Sequence, residues 1–248
     1  MDLGIEGRVA LVTGGSRGIG LGIARALAAE GARVAVAART RESVEQAAAG
    51  LRGRGYVFDA EDLGAVGPLV DSVERDLGPV ELYVANTGGP PPGDPLAFAV
   101  EQWEAAHRSL VISPMLLAQR LLPGMRDRGF GRVVAVSSSA AREPLAHLQL
   151  TNANRPGLLA ALKLLARQAA GDGVTINAIL PGRIATEHLV EAYDDLEDAQ
   201  RAARDDVPAG RLGAVEEIAA VAAFLCSAPA SYVTGTSVLV DGGLTRSW

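Results

Sequence analysis

Three spaced glycines could bring a phosphate group close to the backbone. Gly14, Gly18 and Gly20 lie in the run TGGSRGIG at 13 to 20, directly after the apolar stretch Val9 to Val12. Glycine lets the chain turn sharply, and the free amides and positive dipole end of a following helix favour negative charge. The spacing predicts a turn between a strand and a helix that binds the pyrophosphate of a dinucleotide.

The end of the next apolar run indicates which dinucleotide binds. An NAD site places a carboxylate there to accept a hydrogen bond from the ribose 2′-hydroxyl, whereas this chain has Ala38 followed by Arg39. Arg17, inside the glycine turn, adds a second guanidinium, and arginine suits bidentate phosphate recognition. These residues favour NADP(H), with NAD(H) as the alternative. The other interpretation of Arg39 is a solvated loop charge.

The pattern of apolar residues predicts the strands and helices that position this turn. Seven β-rich runs alternate with segments long enough for helices. The runs are Val9 to Val12, Arg33 to Ala38, Tyr56 to Phe58, Val80 to Ala85, Arg132 to Ser137, Thr175 to Leu180 and Ser237 to Val240. Such alternation implies a mostly parallel sheet covered on both faces. We predict one Rossmann-like α/β domain over 1–248, doubly wound around a seven-stranded sheet.

Two segments interrupt the alternation. Asn86 to Pro95, reading NTGGPPPGDP, predicts a stiff loop. The stretch from Arg183 to Gly210 is rich in charge and alanine, and a short helix is expected near Val190 to Arg204. Ligands of open parallel sheets lie outside the carboxyl ends of the strands, where both segments emerge. Both are therefore candidate walls of a substrate site.

Composition excludes several classes of function. The chain has 248 residues, of which 48% are hydrophobic, and a net charge of −6, which argues against nucleic acid as a partner. It has no long apolar run and no basic leader, so we expect a soluble, cytoplasmic protein without membrane contact. Cys226 is the single cysteine, so no intrachain disulfide and no cysteine-based metal site is expected. Lys163 is the single lysine among 23 basic residues.

Five segments together resemble the short-chain dehydrogenase/reductase family, and the resemblance covers nearly the whole chain. The segments are TGGSRGIG at 13 to 20, ANTGG at 85 to 89, GRVVAVSS at 131 to 138, GVTINAILPGRIAT at 173 to 186 and ASYVTGTSVLVDGG at 230 to 243. Within the family the chain looks most like the 3-oxoacyl-[acyl carrier protein] reductases. The resemblance implies an NADP(H)-dependent oxidoreductase that acts on a small carbonyl or alcohol and forms a homotetramer or dimer.

The resemblance also assigns cofactor contacts. They are Gly14, Ser16, Arg17, Gly18, Ile19, Gly20, Arg39, Asp59, Asn86, Gly88, Arg155, Pro181, Gly182, Ile184 and Thr186. Asp59 would accept a hydrogen bond from the adenine, and Asn86 would hold its loop against the adenosine. Thr186 would contact the nicotinamide carboxamide. Its alternative role is the N-cap of a following helix, and both roles can hold at once.

Most positions at which the family carries out its chemistry hold other residues. Hydride transfer to a carbonyl needs a proton donor and a polarising hydrogen bond at the oxygen. The family supplies a serine, a tyrosine thirteen residues later and a lysine four residues beyond that. This chain has Ser138, Thr151 and Arg155, and Leu110 occupies the place of the family's asparagine in the fourth helix. Only the serine matches.

These replacements change what the site can do with a proton. The hydroxyl of Thr151 is a far weaker acid than a phenol, and Arg155 keeps a positive charge but cannot relay a proton. His147 and His188 are the candidate substitutes, because imidazole titrates near neutrality. Loss of a general acid removes about 10²- to 10⁴-fold in rate, which still permits a slow enzyme.

Two hypotheses follow. The first is an NADP(H)-dependent oxidoreductase with a non-standard proton donor, in which Ser138 polarises the substrate oxygen and Arg155 holds the nicotinamide ribose. The alternative is a catalytically impaired dinucleotide-binding protein that serves as a sensor, a structural protein or a non-catalytic partner subunit. Turnover with NADPH separates the two.

Overall fold

One parallel sheet organises the molecule. The computed structural model describes residues 1–51, 53–191 and 193–247. The strands are β1 Val9–Thr13, β2 Arg33–Ala38, β3 Gly53–Val57, β4 Val80–Ala85, β5 Gly131–Val136, β6 Val174–Pro181 and β7 Ser237–Val240. They lie in the order β3-β2-β1-β4-β5-β6-β7, and all six neighbouring pairs are parallel. The predicted seven-stranded, doubly wound sheet is confirmed.

Helices cover both faces of this sheet. They are α1 Gly18–Ala29, α2 Arg41–Ala48, α3 Val66–Leu77, α4 Val100–His107, α5 Ser113–Asp127, α6 Gln149–Ala169, α7 Glu187–Val190, α8 Leu196–Asp206 and α9 Val215–Leu225. Buried residues of α3, α5 and α6 form one apolar cluster with the sheet. Buried residues of α1, α2 and α9 form a second cluster with the alternate strand residues, whose side chains point to the other face of the sheet. Because both faces are covered, β1 and β6 are buried along their whole length.

The third strand differs from its prediction. It begins at Gly53, three residues before the predicted start, and ends at Val57. Gly53 pairs with Val34, and a Cβ at that glycine would lie 1.5 Å from the Val34 carbonyl oxygen. The strand therefore needs glycine where it meets β2, and glycine is a poor signal of a strand.

The predicted helix near residues 190 to 204 is wrong in its extent. The segment forms two helices, α7 and α8, and each has its own N-cap. Thr186 Oγ1 accepts a 3.2 Å hydrogen bond from the Leu189 amide, and Asp195 Oδ1 accepts one of 2.8 Å from the Asp198 amide. Two capping side chains nine residues apart divide the segment.

Strand order reverses between β1 and β4. The chain runs outward from β1 to β3 and returns to β4 on the other side of β1. The crevice at the carboxyl ends of these two strands is where an open α/β sheet binds ligands. Within the described residues, no helix is long and apolar enough to cross a membrane.

Candidate active site

The glycine turn has the shape that a pyrophosphate requires. Gly14 and Gly18 have φ angles of +55° and +52°, which side chains rarely adopt. A Cβ at Gly20 would lie 2.2 Å from the Gly14 carbonyl oxygen. Helix α1 begins at Gly18, and its N-cap residue, Arg17, makes no side-chain capping bond. The first amides of α1 are thus left for a ligand, and the turn fits a dinucleotide.

Asn86 ties the turn to the loop after β4. Its Nδ2 donates a 2.9 Å hydrogen bond to the Gly14 carbonyl oxygen. Thr13 Oγ1 donates to the Asn86 carbonyl oxygen at 2.8 Å and lies 3.2 Å from the Asn86 amide. These bonds span the crevice between β1 and β4. Gly88, two residues further on, borders open space, since nothing lies within 4 Å of a Cβ built there.

The residues expected around the adenosine half are exposed. Arg39 follows β2, and Asp59 follows β3 with its Oδ1 accepting a 3.0 Å hydrogen bond from the Glu61 amide. Arg17 is directed towards α7, where its Nη1 lies 4.0 Å from Glu187 Oε2 and 3.9 Å from Glu191 Oε1. Exposed ion pairs at these distances contribute little stability. Arg17 is therefore not fixed at the position where it would meet a 2′-phosphate.

The segment after β6 folds back onto the glycine turn. Gly182 donates its amide to the Val240 carbonyl oxygen, and a Cβ there would lie 2.6 Å from Asp241 Cβ. Ile184 is buried and bridges to Gly213. The methyl group of Thr186 lies 3.6 Å from a Cβ built at Gly18. Thr186 thus lies against Gly18 of the glycine turn and has the N-cap role.

Ser138 stands at the carboxyl end of β5. Its Oγ accepts a 3.1 Å hydrogen bond from the Ala140 amide and caps a short 3₁₀ turn, Ser139–Ala141. The hydroxyl proton of Ser138 is therefore left to donate elsewhere. The preceding Ser137 is different, because its Oγ is buried without a partner.

Thr151 and Arg155 lie one turn apart on α6, and both are buried, at 7% and 5% exposure. Arg155 Nη1 donates a 2.7 Å hydrogen bond to the Val136 carbonyl oxygen at the end of β5. Its Nη2 lies 3.4 Å from Thr87 Oγ1 in the loop after β4. Burial lowers the pKa of this guanidinium to about 10, so it stays charged at neutral pH.

The comparisons with known proteins agree with this geometry. A family model described as enoyl-(acyl carrier protein) reductase matches residues 14–245. Over 245 residues the chain is 34% identical to 3-oxoacyl-[acyl-carrier-protein] reductase of Escherichia coli, which covers 98% of this chain and 99% of that protein. The chain belongs to the short-chain dehydrogenase/reductase family.

Two further members of this family show how closely the whole chain follows it. Acetoacetyl-CoA reductase of Rhizobium meliloti is 38% identical over 239 residues, which cover 95% of this chain and 98% of that protein. The structure of L-sorbose reductase from Gluconobacter frateurii complexed with NADPH and L-sorbose has a TM-score of 0.94 and 33% identity, with complete coverage of both chains. The departures at Leu110, Thr151 and Arg155 therefore sit inside an ordinary family fold.

Leu110 occupies the position of the family's asparagine and packs into the core. It is fully buried in a π-helical turn, Arg108–Ile112, between α4 and α5. It shares an apolar cluster with Ala106 and with Leu150, which directly precedes Thr151. This position offers no polar side chain, so it cannot take part in proton transfer.

The structure separates the two candidate histidines. His188 on α7 faces the loop after β4, with Nε2 2.9 Å from a Cβ built at Gly89. Its Nδ1 lies 3.4 Å from Glu191 Oε2. His147 is exposed in the segment before α6, and the described residues give it no hydrogen-bond partner. Only His188 is brought to a wall of the site.

Thr87 and the carbonyl of Val136 are the functional groups that the sequence analysis missed. Both contact Arg155, from 68 and 19 residues away along the chain. The sequence offers one clue to Thr87, because this residue directly follows Asn86 in the loop after β4.

The described residues contain no group of three or more His, Cys, Asp or Glu that could hold a metal ion.

Proposed function

We propose that this protein is an NADPH-dependent oxidoreductase that reduces a carbonyl group to an alcohol. The observation that carries the proposal is the turn between β1 and α1, where Gly14 and Gly18 take positive φ and the first amides of α1 lack a side-chain cap. Such a turn suits a pyrophosphate. Membership of a reductase-rich family supports the same assignment.

NADP(H) is the proposed cofactor, with NAD(H) as the weaker alternative. Ala38 ends β2 and Arg39 follows it, at the place where a carboxylate would accept a hydrogen bond from the 2′-hydroxyl of NAD. Arg39 is exposed and forms no ion pair with any described residue, so it is available to a 2′-phosphate. L-sorbose reductase and the actinorhodin polyketide ketoreductase, both similar in structure, were solved with NADPH.

Residues of this chain would polarise the carbonyl group that is reduced. The bound cofactor would supply a hydride to the carbonyl carbon, and a proton must then reach the oxygen to give the hydroxyl. Ser138 Oγ accepts a hydrogen bond from the Ala140 amide, which leaves its hydroxyl proton free. Ser138 can therefore donate this proton in a hydrogen bond to the substrate oxygen. Arg155 holds a positive charge beneath the site and helps to bind the ribose hydroxyls of the cofactor.

His188 is the proposed proton donor. Its Nε2 faces the loop after β4, while Nδ1 lies near Glu191, which orients the ring. We expect His188→Ala to lower kcat about 10²-fold and added imidazole to restore part of the loss. His147→Ala is the matched control, with unchanged kcat. Equal activity in both variants would assign the proton to water instead.

The proposed substrate is a 3-oxoacyl thioester. Two relatives are named as reductases of such compounds, 3-oxoacyl-[acyl-carrier-protein] reductase and acetoacetyl-CoA reductase. The walls that would select it are the loop at 86–95 and the segment at 183–210. A panel that also contains a keto sugar and simple ketones tests this assignment, since one similar structure is a sorbose reductase.

The decisive experiment mixes purified protein with NADPH and this panel. We expect loss of the absorbance of the reduced nicotinamide, and a lower rate with Ser138→Ala. Tight NADPH binding without turnover on any substrate would overturn the proposal and leave a dinucleotide-binding protein. The double variant Thr151→Tyr with Arg155→Lys then gives a second readout, because activity gained from an inert parent identifies an impaired member of the family.

The proposal includes a cytoplasmic homo-oligomer, a dimer or a tetramer, as the resemblance to the family suggests. Light scattering coupled to size exclusion measures the mass. A single species at 25.6 kDa would contradict this part of the proposal.

A further inference from the structure

The guanidinium of Arg155 is buried with part of its hydrogen-bonding capacity unused. An arginine carries five N–H donors. One bonds the Val136 carbonyl oxygen, one lies at 3.4 Å from Thr87 Oγ1, and Nε is buried with no partner. An unpaired buried donor is costly, so internal hydrogen bonds alone do not explain why a guanidinium is buried here.

A second buried arginine shows what a purely structural arrangement looks like. Arg132 donates from Nε to the Ser227 carbonyl oxygen and from Nη1 to those of Gly131 and Gly173. Its guanidinium also lies 4.2 Å from the centre of the Phe130 ring. The Nε of Arg132 therefore has a partner within the protein, whereas the Nε of Arg155 has none.

Arg155 also lacks a compensating negative charge. Its two partners, a carbonyl group and a hydroxyl group, are neutral. Thr151, one helical turn before it, is neutral as well, where the family has an ionisable phenol. Arg155 forms no ion pair with any residue in the described ranges. A full positive charge thus remains in a buried site, where interactions between charges are screened weakly.

The position of this charge matters for the cofactor. Val136 ends β5 and Thr87 follows β4, so the guanidinium lies on the far side of the crevice from β1 and β2. A dinucleotide with its pyrophosphate on the glycine turn places its adenosine over β1 and β2 and its nicotinamide over β4, β5 and β6. Arg155 therefore belongs to the nicotinamide half.

We propose that Arg155, as an uncompensated buried cation, makes this site select the reduced form of the cofactor over the oxidised form. The inference rests on the proposed function. An oxidised nicotinamide ring carries a positive charge and is repelled, whereas the reduced ring is neutral. Ribose and phosphate contacts are the same in both forms and cancel in the comparison. The site then favours carbonyl reduction and releases the oxidised product readily.

Elementary electrostatics sets the size of the expected effect. Two like charges about 7 to 10 Å apart at an effective dielectric constant of about 20 correspond to roughly a fifteen- to fiftyfold difference in affinity. For a two-electron couple, each tenfold difference shifts the midpoint potential of the bound cofactor by about 30 mV. The charge is buried, so the selectivity should persist at high salt.

Binding of NADPH and NADP⁺ to the full-length protein, measured by calorimetry at pH 7, tests the inference without any substrate. We expect the wild-type protein to bind NADPH at least tenfold more tightly. Arg155→Met should bring the ratio close to one, and Arg155→Lys should retain it. Thr151→Asp places a carboxylate one turn from the guanidinium and should also lower the ratio. Arg39→Met is the matched control, because it weakens both forms and leaves their ratio unchanged.

The outcomes separate this inference from the proposed function. Equal wild-type affinities for both forms overturn the inference alone, as does a ratio that survives in both Arg155→Met and Thr151→Asp. Absence of binding to either form overturns the proposed function as well. If Arg155→Met no longer binds, Thr151→Asp and Arg155→Lys decide, because each keeps a basic side chain at position 155.

Discussion

The side-chain amide of Asn86 donates a 2.9 Å hydrogen bond to the carbonyl oxygen of Gly14. This bond joins the loop after β4 to the turn after β1, across the point where the strand order reverses. The bond joins two groups of the protein itself, so it helps to hold the loop and the turn in the arrangement that a pyrophosphate would need. A site organised before binding loses less conformational entropy when the ligand arrives.

Replacing Asn86 with aspartate should loosen this cradle. Asn86→Asp keeps the shape of the side chain but removes the donor and sets a carboxylate against the Gly14 carbonyl oxygen. We expect the free energy of unfolding to fall by about 1 to 3 kcal/mol and NADPH affinity to drop at least tenfold. Urea denaturation and calorimetry measure the two effects. Unchanged binding would mean that the turn holds its conformation without this bond.

Gly20→Ala tests the close approach inside the turn. A Cβ there would lie 2.2 Å from the Gly14 carbonyl oxygen and 2.6 Å from Asn86 Nδ2. We expect a loss of about 3 kcal/mol in the free energy of unfolding and loss of NADPH binding. Gly67→Ala on α3 is the control, because nothing lies within 4 Å of its Cβ. That variant should be more stable by about 0.5 to 1 kcal/mol.

Local signals were sufficient to predict this part of the molecule. The glycine turn and the strands β1, β2 and β4 can each be recognised from a few residues, since buried parallel strands are continuously apolar and the turn requires glycine. The early start of β3 at Gly53 could not be predicted, because its glycine is required by contact with Val34 rather than by local propensity. The N-cap role of Thr186 was predicted, but the second cap, Asp195, and with it the division between α7 and α8, was found only in the structure.

The environment of Arg155 was also beyond sequence reasoning. Its position follows from the family spacing, but its partners Val136 and Thr87 come from two other strand ends. Whether a buried guanidinium is satisfied depends on these distant groups, so charge alone did not distinguish Arg155 from Arg132. The two histidines show the same limit, because only the fold brings His188 against Gly89.

Ser138→Ala separates catalysis from binding. The variant loses the hydroxyl that would polarise the substrate oxygen, so we expect kcat to fall about 10²- to 10³-fold. NADPH affinity should stay the same, and stability should fall by about 1 kcal/mol with the loss of the cap on Ala140. Ser137→Ala is the control, with kcat unchanged, since its buried Oγ has no partner. Comparable kcat values for the two variants would remove Ser138 from the mechanism.

Glu217 gives the fold a predictable response to acid. Hydrogen bonds from Arg211 and then from the Ala214 amide lower the pKa of Glu217 from 4.5 to about 2. The unfolded chain therefore binds this proton more readily than the folded chain. Its stabilising contribution is complete above pH 4.5 and is lost as the pH falls towards 2.

The measurement compares Glu217→Gln with the wild-type protein by urea denaturation from pH 7 to pH 3. We expect the difference in unfolding free energy to be largest at pH 7 and to shrink below pH 4.5. Glu216→Gln removes the same charge from the same turn of α9 and should show a smaller dependence on pH. A difference in unfolding free energy that grows as the pH falls would contradict the lowered pKa of Glu217.

Arg155→Met should make the ligand-free protein more stable. Burial lowers the pKa of Arg155 from that of a free guanidinium to about 10, which corresponds to roughly 3 kcal/mol against the charged form. Because the folded state holds this proton more weakly than the unfolded chain does, the penalty is present in full below pH 10. Methionine removes the charge and gives up hydrogen bonds worth about 1.5 kcal/mol. The net gain expected at pH 7 is about 1 to 2 kcal/mol.

The matched variant is Arg132→Met, for which we expect the opposite sign. Arg132 has three carbonyl partners and an aromatic ring, so its replacement should lower stability by about 2 to 4 kcal/mol. Added NADPH should raise the thermal midpoint of Arg155→Met less than that of the wild-type protein, because stabilisation by a ligand follows its affinity. If both methionine variants were destabilised alike, Arg155 would be a structural arginine, and its buried charge would not mark a cofactor site.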